Sequence, residues 1–160
     1  MKKTAEQGNA EAQFNLGGMY ALGEGVERDL AEAVLWHTKA AEQGNKLAQN
    51  NLGYMYQEGV GVKQNYAEAI RWYTKAAEGG IPDAQKRLGF MYKHGEGVKK
   101  NYAEAVRWYT KASEQGLAQA QYNLGILYLI KKDMPTAFKW FTKAADQGYT
   151  YAQSALKKYF

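Results

Sequence analysis

The sequence predicts an all-α fold assembled from repeated helix pairs, and three observations predict it. An Ala-Gln dipeptide recurs at Ala12-Gln13, Ala48-Gln49, Ala84-Gln85, Ala120-Gln121 and Ala152-Gln153, at intervals of 36, 36, 36 and 32 residues. Around it the same letters return: Leu16-Gly17 as Leu52-Gly53, Leu88-Gly89 and Leu124-Gly125, Tyr20 as Tyr56, Tyr92 and Tyr128, and Trp36 as Trp72, Trp108 and Trp140. Within each unit the apolar residues fall at helical spacing.

The first helix of a unit runs from Ala12 to about Leu22, with Ala12, Leu16, Met19 and Tyr20 on one face. Gly17 lies beside that face, where a missing side chain lets a neighbouring helix approach. The second helix opens with a capping pattern: Asp29-x-x-Glu32, Asn65-x-x-Glu68 and Asn101-x-x-Glu104. A cap side chain thus precedes by three residues a Glu able to reach back. Its buried face is read as Ala33, Val34, His37, Ala40 and Ala41, with Tyr73, Tyr109 and Phe141 in the place of His37 later on. It stops at Gly44 and the equivalents Gly80, Gly116 and Gly148, where a left-handed residue is expected. Pro82 falls in the first turn of the following helix, where its missing N–H costs nothing.

Between paired helices stand Gly23-Glu24-Gly25, Gly59-Val60-Gly61 and Gly95-Glu96-Gly97. A phosphate-binding loop follows a strand and carries Gly-Lys-Ser/Thr; neither is present. The glycines are read as hinges, with Val26, Val62 and Val98 tucked beneath them. The fourth unit agrees: Leu129-Ile130-Lys131-Lys132-Asp133 drops four residues and both glycines, yet Asp133, Ala137 and Trp140 keep register.

The pattern A-x-x-x-L-G-x-x-Y, then G-x-G-V, then (D/N)-Y-A-E-A-x-x-W-Y-x-K-A-A-E-x-G resembles the Sel1-like repeat, a relative of the tetratricopeptide repeat. The resemblance covers essentially the whole chain. It implies a right-handed α/α superhelix, a solenoid whose first helices line a concave surface and whose second helices, with their tryptophans, form the outside. It also implies an adaptor of a kind found in bacteria and eukaryotes; for this chain a non-catalytic, bacterial scaffold that binds a protein or peptide is expected. A secreted subgroup bridges its helix pairs with disulfides, whereas this chain has no cysteine. One repeat domain is expected over residues 1–160, with repeats at 12–47, 48–83, 84–119 and 120–151 and partial repeats at 1–11 and 152–160. Thr4-Ala5-Glu6-Gln7-Gly8 matches the tail of a second helix, so the chain reads as part of a longer array with ends able to associate.

Composition narrows the function. The absence of cysteine excludes thiolate chemistry and Cys-based zinc sites. No run of ~18 apolar residues is present to span a membrane. Met1-Lys2-Lys3 is not followed by an apolar stretch, so the chain is expected to be soluble, either cytoplasmic or exported after removal of a signal peptide. No HExxH, isolated carboxylate pair or nucleophile elbow occurs. His37 and His94 occupy different positions in their repeats, His37 reading as a satisfied, partly buried residue and His94 as a surface one. No catalytic residue, metal site or cofactor is assigned.

Charge is uneven. Residues 1–83 carry 8 Lys/Arg against 11 Asp/Glu, and residues 84–160 carry 13 against 5. The basic half favours acidic partners. Lys99-Lys100, Lys131-Lys132 and Lys157-Lys158 keep open a nucleic-acid or other polyanion-binding alternative, and the exposed Tyr159-Phe160 edge one of self-assembly.

Candidate binding residues follow from the resemblance. Tetratricopeptide grooves touch ligand from positions two before the motif leucine and two, five and six after it. Here these are Phe14, Gly18, Ala21 and Leu22, then Asn50, Tyr54, Gln57 and Glu58. The third unit gives Lys86, Phe90, Lys93 and His94, and the fourth Tyr122, Ile126, Leu129 and Ile130. They are the positions at which the repeats disagree. Just before the leucine stand Asn15, Asn51, Arg87 and Asn123, suited to hydrogen bonding an extended backbone or a carboxylate; a consensus role within the repeat is the alternative. Tyr54, Phe90, Tyr122 and Ile126 are expected anchors, with Lys86, Arg87 and Lys93 pairing with carboxylates.

Overall fold

The computed structural model describes residues 1–160 as ten α-helices with no strand. They are α1 (Lys2–Glu6), α2 (Ala10–Leu22), α3 (Leu30–Glu42), α4 (Lys46–Glu58), α5 (Tyr66–Glu78), α6 (Pro82–His94), α7 (Tyr102–Glu114), α8 (Ala118–Ile130), α9 (Met134–Asp146) and α10 (Thr150–Tyr159). The all-α repeat of helix pairs is therefore as the sequence indicates. Even-numbered helices are of the first type and odd-numbered ones of the second. The first-type helix α2 begins two residues earlier than its apolar face suggests, because the Ala12 N–H donates to Asn9 Oδ1 at 2.8 Å. Asn45 caps α4 in the same way, and Pro82 is the first residue of α6.

The chain forms two compact units, Met1–Ala84 and Gln85–Phe160. In the first unit, α1 packs on α2, α2 on α3, α3 on α4 and α4 on α5. Ala5, Leu16 and Trp36 make one core cluster and Ala40, Ala41, Ala48, Leu52 and Trp72 the next. In the second unit, α7 packs on α8, α8 on α9 and α9 on α10. Its clusters centre on Tyr109, Leu124 and Leu127, and on Phe141, Ala152 and Ala155.

Each helix pair meets at a glycine. A Cβ on Gly89 would lie 2.7 Å from the Tyr109 ring and one on Gly125 2.8 Å from Phe141, far inside van der Waals contact. Gly53 faces Tyr73 likewise. The turn glycines serve the backbone instead: Gly23 and Gly25 take left-handed φ of 77° and 72°, and the Gly23 N–H donates to Met19 O at 2.7 Å. That amide is consumed within the chain, as a hinge requires. In the shorter fourth turn Lys132 adopts the left-handed conformation, with φ 62°.

The Glu of each capping pattern does something other than expected. Asp29 accepts from the Ala31 and Glu32 N–H groups, but its own N–H donates to Tyr20 O at 3.0 Å. The corresponding bonds join Asn65 to Tyr56, Asn101 to Tyr92 and Asp133 to Tyr128, at 2.8, 2.8 and 2.9 Å. With that donor occupied, the Glu turns along its helix. Glu32 accepts from the Trp36 indole N–H at 3.0 Å, while Glu68 and Glu104 pair with Arg71 and Arg107.

The tryptophans are also placed differently. Trp36, Trp72 and Trp108 are buried and only Trp140 is half-buried. Basic side chains roof them: Lys39 over Trp36, Arg71 and Lys75 over Trp72, Arg107 and Lys111 over Trp108. Over these indoles the second helices thus present cationic stems.

The repeated glutamine links neighbouring pairs. Gln13 Nε2 donates to Ala5 O at 3.0 Å while its Oε1 accepts from Gln43 at 2.7 Å. Gln121 does the same with Ser113 O and Gln147. A buried carboxamide is thereby satisfied at both ends.

Candidate protein-interaction surface

The binding candidates all lie on first-type helices, which bury one face against second-type helices and leave the residues between core positions outward. In the first unit, Leu16 and Leu52 are 1% and 0% exposed whereas Tyr54, two residues beyond the second leucine, is 43% exposed. Asn15 is exposed and Asn51 half-buried. Phe14 is half-buried: it packs on the cluster around Leu52, with its ring 5.5 Å from that of His37. Gln57 is withdrawn from the surface, buried with its Oε1 accepting from the Tyr73 hydroxyl at 2.9 Å. Asn50 Nδ2 donates to Asp83 Oδ2 at 3.3 Å. Phe14, Gln57 and Asn50 are thus tied into the fold, while Tyr54 and Asn15 face outward.

His37 is a correction to the sequence reading. It is 2% exposed and its Nδ1 has no hydrogen-bond partner. Burial lowers its pKa from 6.5 to about 4, so the ring is neutral at pH 7. The small Ala21 stands where α4 offers Gln57 to Tyr73, and no acceptor or donor meets the imidazole from there.

In the second unit, Phe90 is 39% exposed and its ring lies 4.3 Å from that of the exposed His94. Lys93 is half-buried, and burial lowers its pKa. The His94 pKa is also lowered, by burial first and then by Lys93 and Lys100 against the opposing field of Glu96. Lys86 Nζ donates to Gln119 Oε1 at 3.2 Å, and Arg87 is half-buried. On α8, Tyr122, Asn123 and Ile126 are half-buried. Tyr122 stacks near Phe141, Tyr149 and Tyr151, with ring centroids 5.5–6.2 Å apart.

Two shallow cavities adjoin there. One, of about 390 Å³, is lined by Ile126, Leu129, Ile130, Met134 and Tyr159. The other, of about 170 Å³, adds Tyr122, Tyr151 and Lys158. Tyr151 and Lys158 belong to α10; Tyr151 was not read from the sequence as a site residue, and Lys158 was read only for the polyanion-binding alternative. The signal was available, since α10 repeats the first-helix pattern from Ala152-Gln153. The arrangement offers aromatic rings and apolar side chains bordered by Lys158. No group of three metal-ligating side chains occurs, and no helix is long and apolar enough to cross a membrane.

A family model described as Sel1 repeat matches residues 10–45, 46–81, 82–117 and 118–149. Among solved structures, a protective antigen of uropathogenic Escherichia coli strains displaying an SLR fold is 40% identical, with a TM-score of 0.93 over 95% of this chain and 33% of that one. A Sel1 repeat protein from Oxalobacter formigenes is 39% identical, with a TM-score of 0.86 over 94% of this chain and 63% of that one. Cysteine rich protein B of Helicobacter pylori is 28% identical, with a TM-score of 0.59 over 74% of this chain and 90% of that one. The chain therefore spans about a third of the first of these proteins and under two thirds of the second. No curated protein matches.

Proposed function

Since the chain belongs to the Sel1 repeat family, whose repeats mediate protein–protein interaction, we propose that it is a non-catalytic scaffold capturing a partner polypeptide on its first-type helices. One observation carries this reading. At invariant positions these helices are sealed, with Leu52 and Leu88 both 0% exposed, yet two residues on they present Tyr54 and Phe90 to solvent. Fold and outward surface are thus written on different positions of one helix. Large exposed rings at non-repeated positions supply interface energy at little entropic cost.

The partner is a segment with apolar side chains and acidic flanks. The rings on α6 and α8 sit among Lys86, Lys93 and Lys158, and residues 84–160 hold 13 Lys/Arg against 5 Asp/Glu. Such a surface speeds encounter with an acidic chain.

The test is capture of a bacterial partner by immobilised protein, repeated with the Arg87→Ala/Phe90→Ala double variant. Capture should fall at least about tenfold, as loss of an anchor residue entails, with circular dichroism showing the helices retained. Undiminished capture by the folded variant would overturn the assignment.

A further inference from the structure

The two units answer the same packing problem differently at one place. In the first, the buried Tyr73 hydroxyl donates to Gln57 Oε1 at 2.9 Å. Thirty-six residues later the ring is conserved as Tyr109, but the position of Gln57 is taken by Lys93. Tyr109 is 0% exposed and its hydroxyl has no hydrogen-bond partner. A buried hydroxyl left this way costs about 1–3 kcal/mol. Lysine cannot take the hydroxyl proton, because an ammonium group has three donors and no acceptor; it could only donate to the phenolic oxygen, and it forms no such bond. Lys93 is itself half-buried and makes no ion pair or hydrogen bond. The hydroxyl proton thus has an acceptor in the first unit and none in the second.

What is missing is an acceptor, and beside a cation an anionic one. Burial raises the Tyr109 pKa, so the phenol keeps its proton and remains a donor. Burial lowers that of Lys93, so an arriving negative charge is favoured over continued desolvation. Glu96, whose field reaches His94, forms no ion pair with Lys93. The exposed ring of Phe90 stands three residues before Lys93 on the same helix, against His94.

We propose that Lys93 of α6 and the hydroxyl of Tyr109 on α7 form a subsite for a carboxylate, an Asp or Glu side chain of the bound partner. The inference rests on the scaffold reading above and gives it a specific contact. The hydroxyl is buried in the free protein, and the flexible side chain of Lys93 moves as the acid enters. One carboxylate oxygen then accepts from Tyr109 and the other faces the ammonium group, as a charge-assisted pair. The carboxylate supplies the acceptor that Gln57 supplies internally in the first unit.

The experiment uses the intact chain and two probes, N-acetyl-glutamate amide and its neutral isostere N-acetyl-glutamine amide, followed by NMR at the Tyr109 ring and the Lys93 side chain. The acid should give saturable shifts at both residues and the amide none. Lys93→Gln recreates the Tyr73–Gln57 pair, so it should raise the melting temperature while weakening the acid's effect at least tenfold. Tyr109→Phe should also weaken it with the fold intact. Absence of saturation with the acid, equal response to the amide, or an unchanged response in Lys93→Gln would each overturn the subsite. Partner capture lost in Phe90→Ala but unaffected by Lys93→Gln would overturn it too, while leaving the scaffold reading standing.

Discussion

Gly17 leaves room for one ring: a Cβ placed on it would stand 2.8 Å from Nδ1 of His37. The neighbouring Gly18, on the same helix, has nothing within 4 Å of the same construction. Two adjacent glycines in α2 therefore have opposite meanings. One is a packing requirement, the other a spare helix-weakening residue.

Alanine at the two positions should act with opposite sign. Gly17→Ala forces the pair α2/α3 apart and should lower stability by about 1–3 kcal/mol, the usual cost of overpacking. Gly18→Ala should raise it by roughly 0.5–1 kcal/mol through helix propensity. Urea unfolding of both variants measures the contrast, and equal effects would remove the glycine–ring contact from the account.

His37 makes stability depend on pH. Its folded pKa of about 4 lies below the unfolded value of 6.5, so the unfolded chain binds the extra proton first. The contribution is complete above 6.5 and is lost as pH falls from there toward 4, with a limit of about 3 kcal/mol. His37→Phe, which copies the Gly125–Phe141 pairing of the fourth repeat, should flatten that part of the pH profile. Thermal unfolding between pH 4 and 7 of the two proteins checks it.

The glutamine links predict a graded series. Gln121→Ala removes the donor to Ser113 O and the acceptor of Gln147 at a buried site, and should cost about 1–3 kcal/mol. The exposed Gln153, whose bond to Ala145 O is 3.4 Å long, should tolerate alanine within about 0.5 kcal/mol. Chemical denaturation of both variants tests whether burial sets the difference.

Much of this architecture was legible because packing repeats when sequence does. Gly17, Leu16, Tyr20 and Trp36 recur since each pair must meet its partner identically. The fates of Glu32, Glu68 and Glu104 were not legible: the amide they were to satisfy goes to a tyrosine carbonyl in the preceding helix, a contact outside the local pattern. Nor does spacing reveal that Gln13 pairs with Gln43, 30 residues away. At the surface, Tyr54 and Phe90 could be picked out as places where the copies differ. Gln57 could not be separated from Lys93, because the difference shows only once the ring each faces is known to be buried.

The claim that partners are held by first-type helices is tested most directly by photo-crosslinking from single positions of matched exposure. A benzophenone amino acid placed at Tyr54 or Phe90, on first-type helices, compares with one at Leu35 or Phe138, on second-type helices; the four residues are 43%, 39%, 44% and 48% exposed. The account predicts partner adducts from positions 54 and 90 and none from 35 and 138. Adducts confined to 35 and 138 would contradict it.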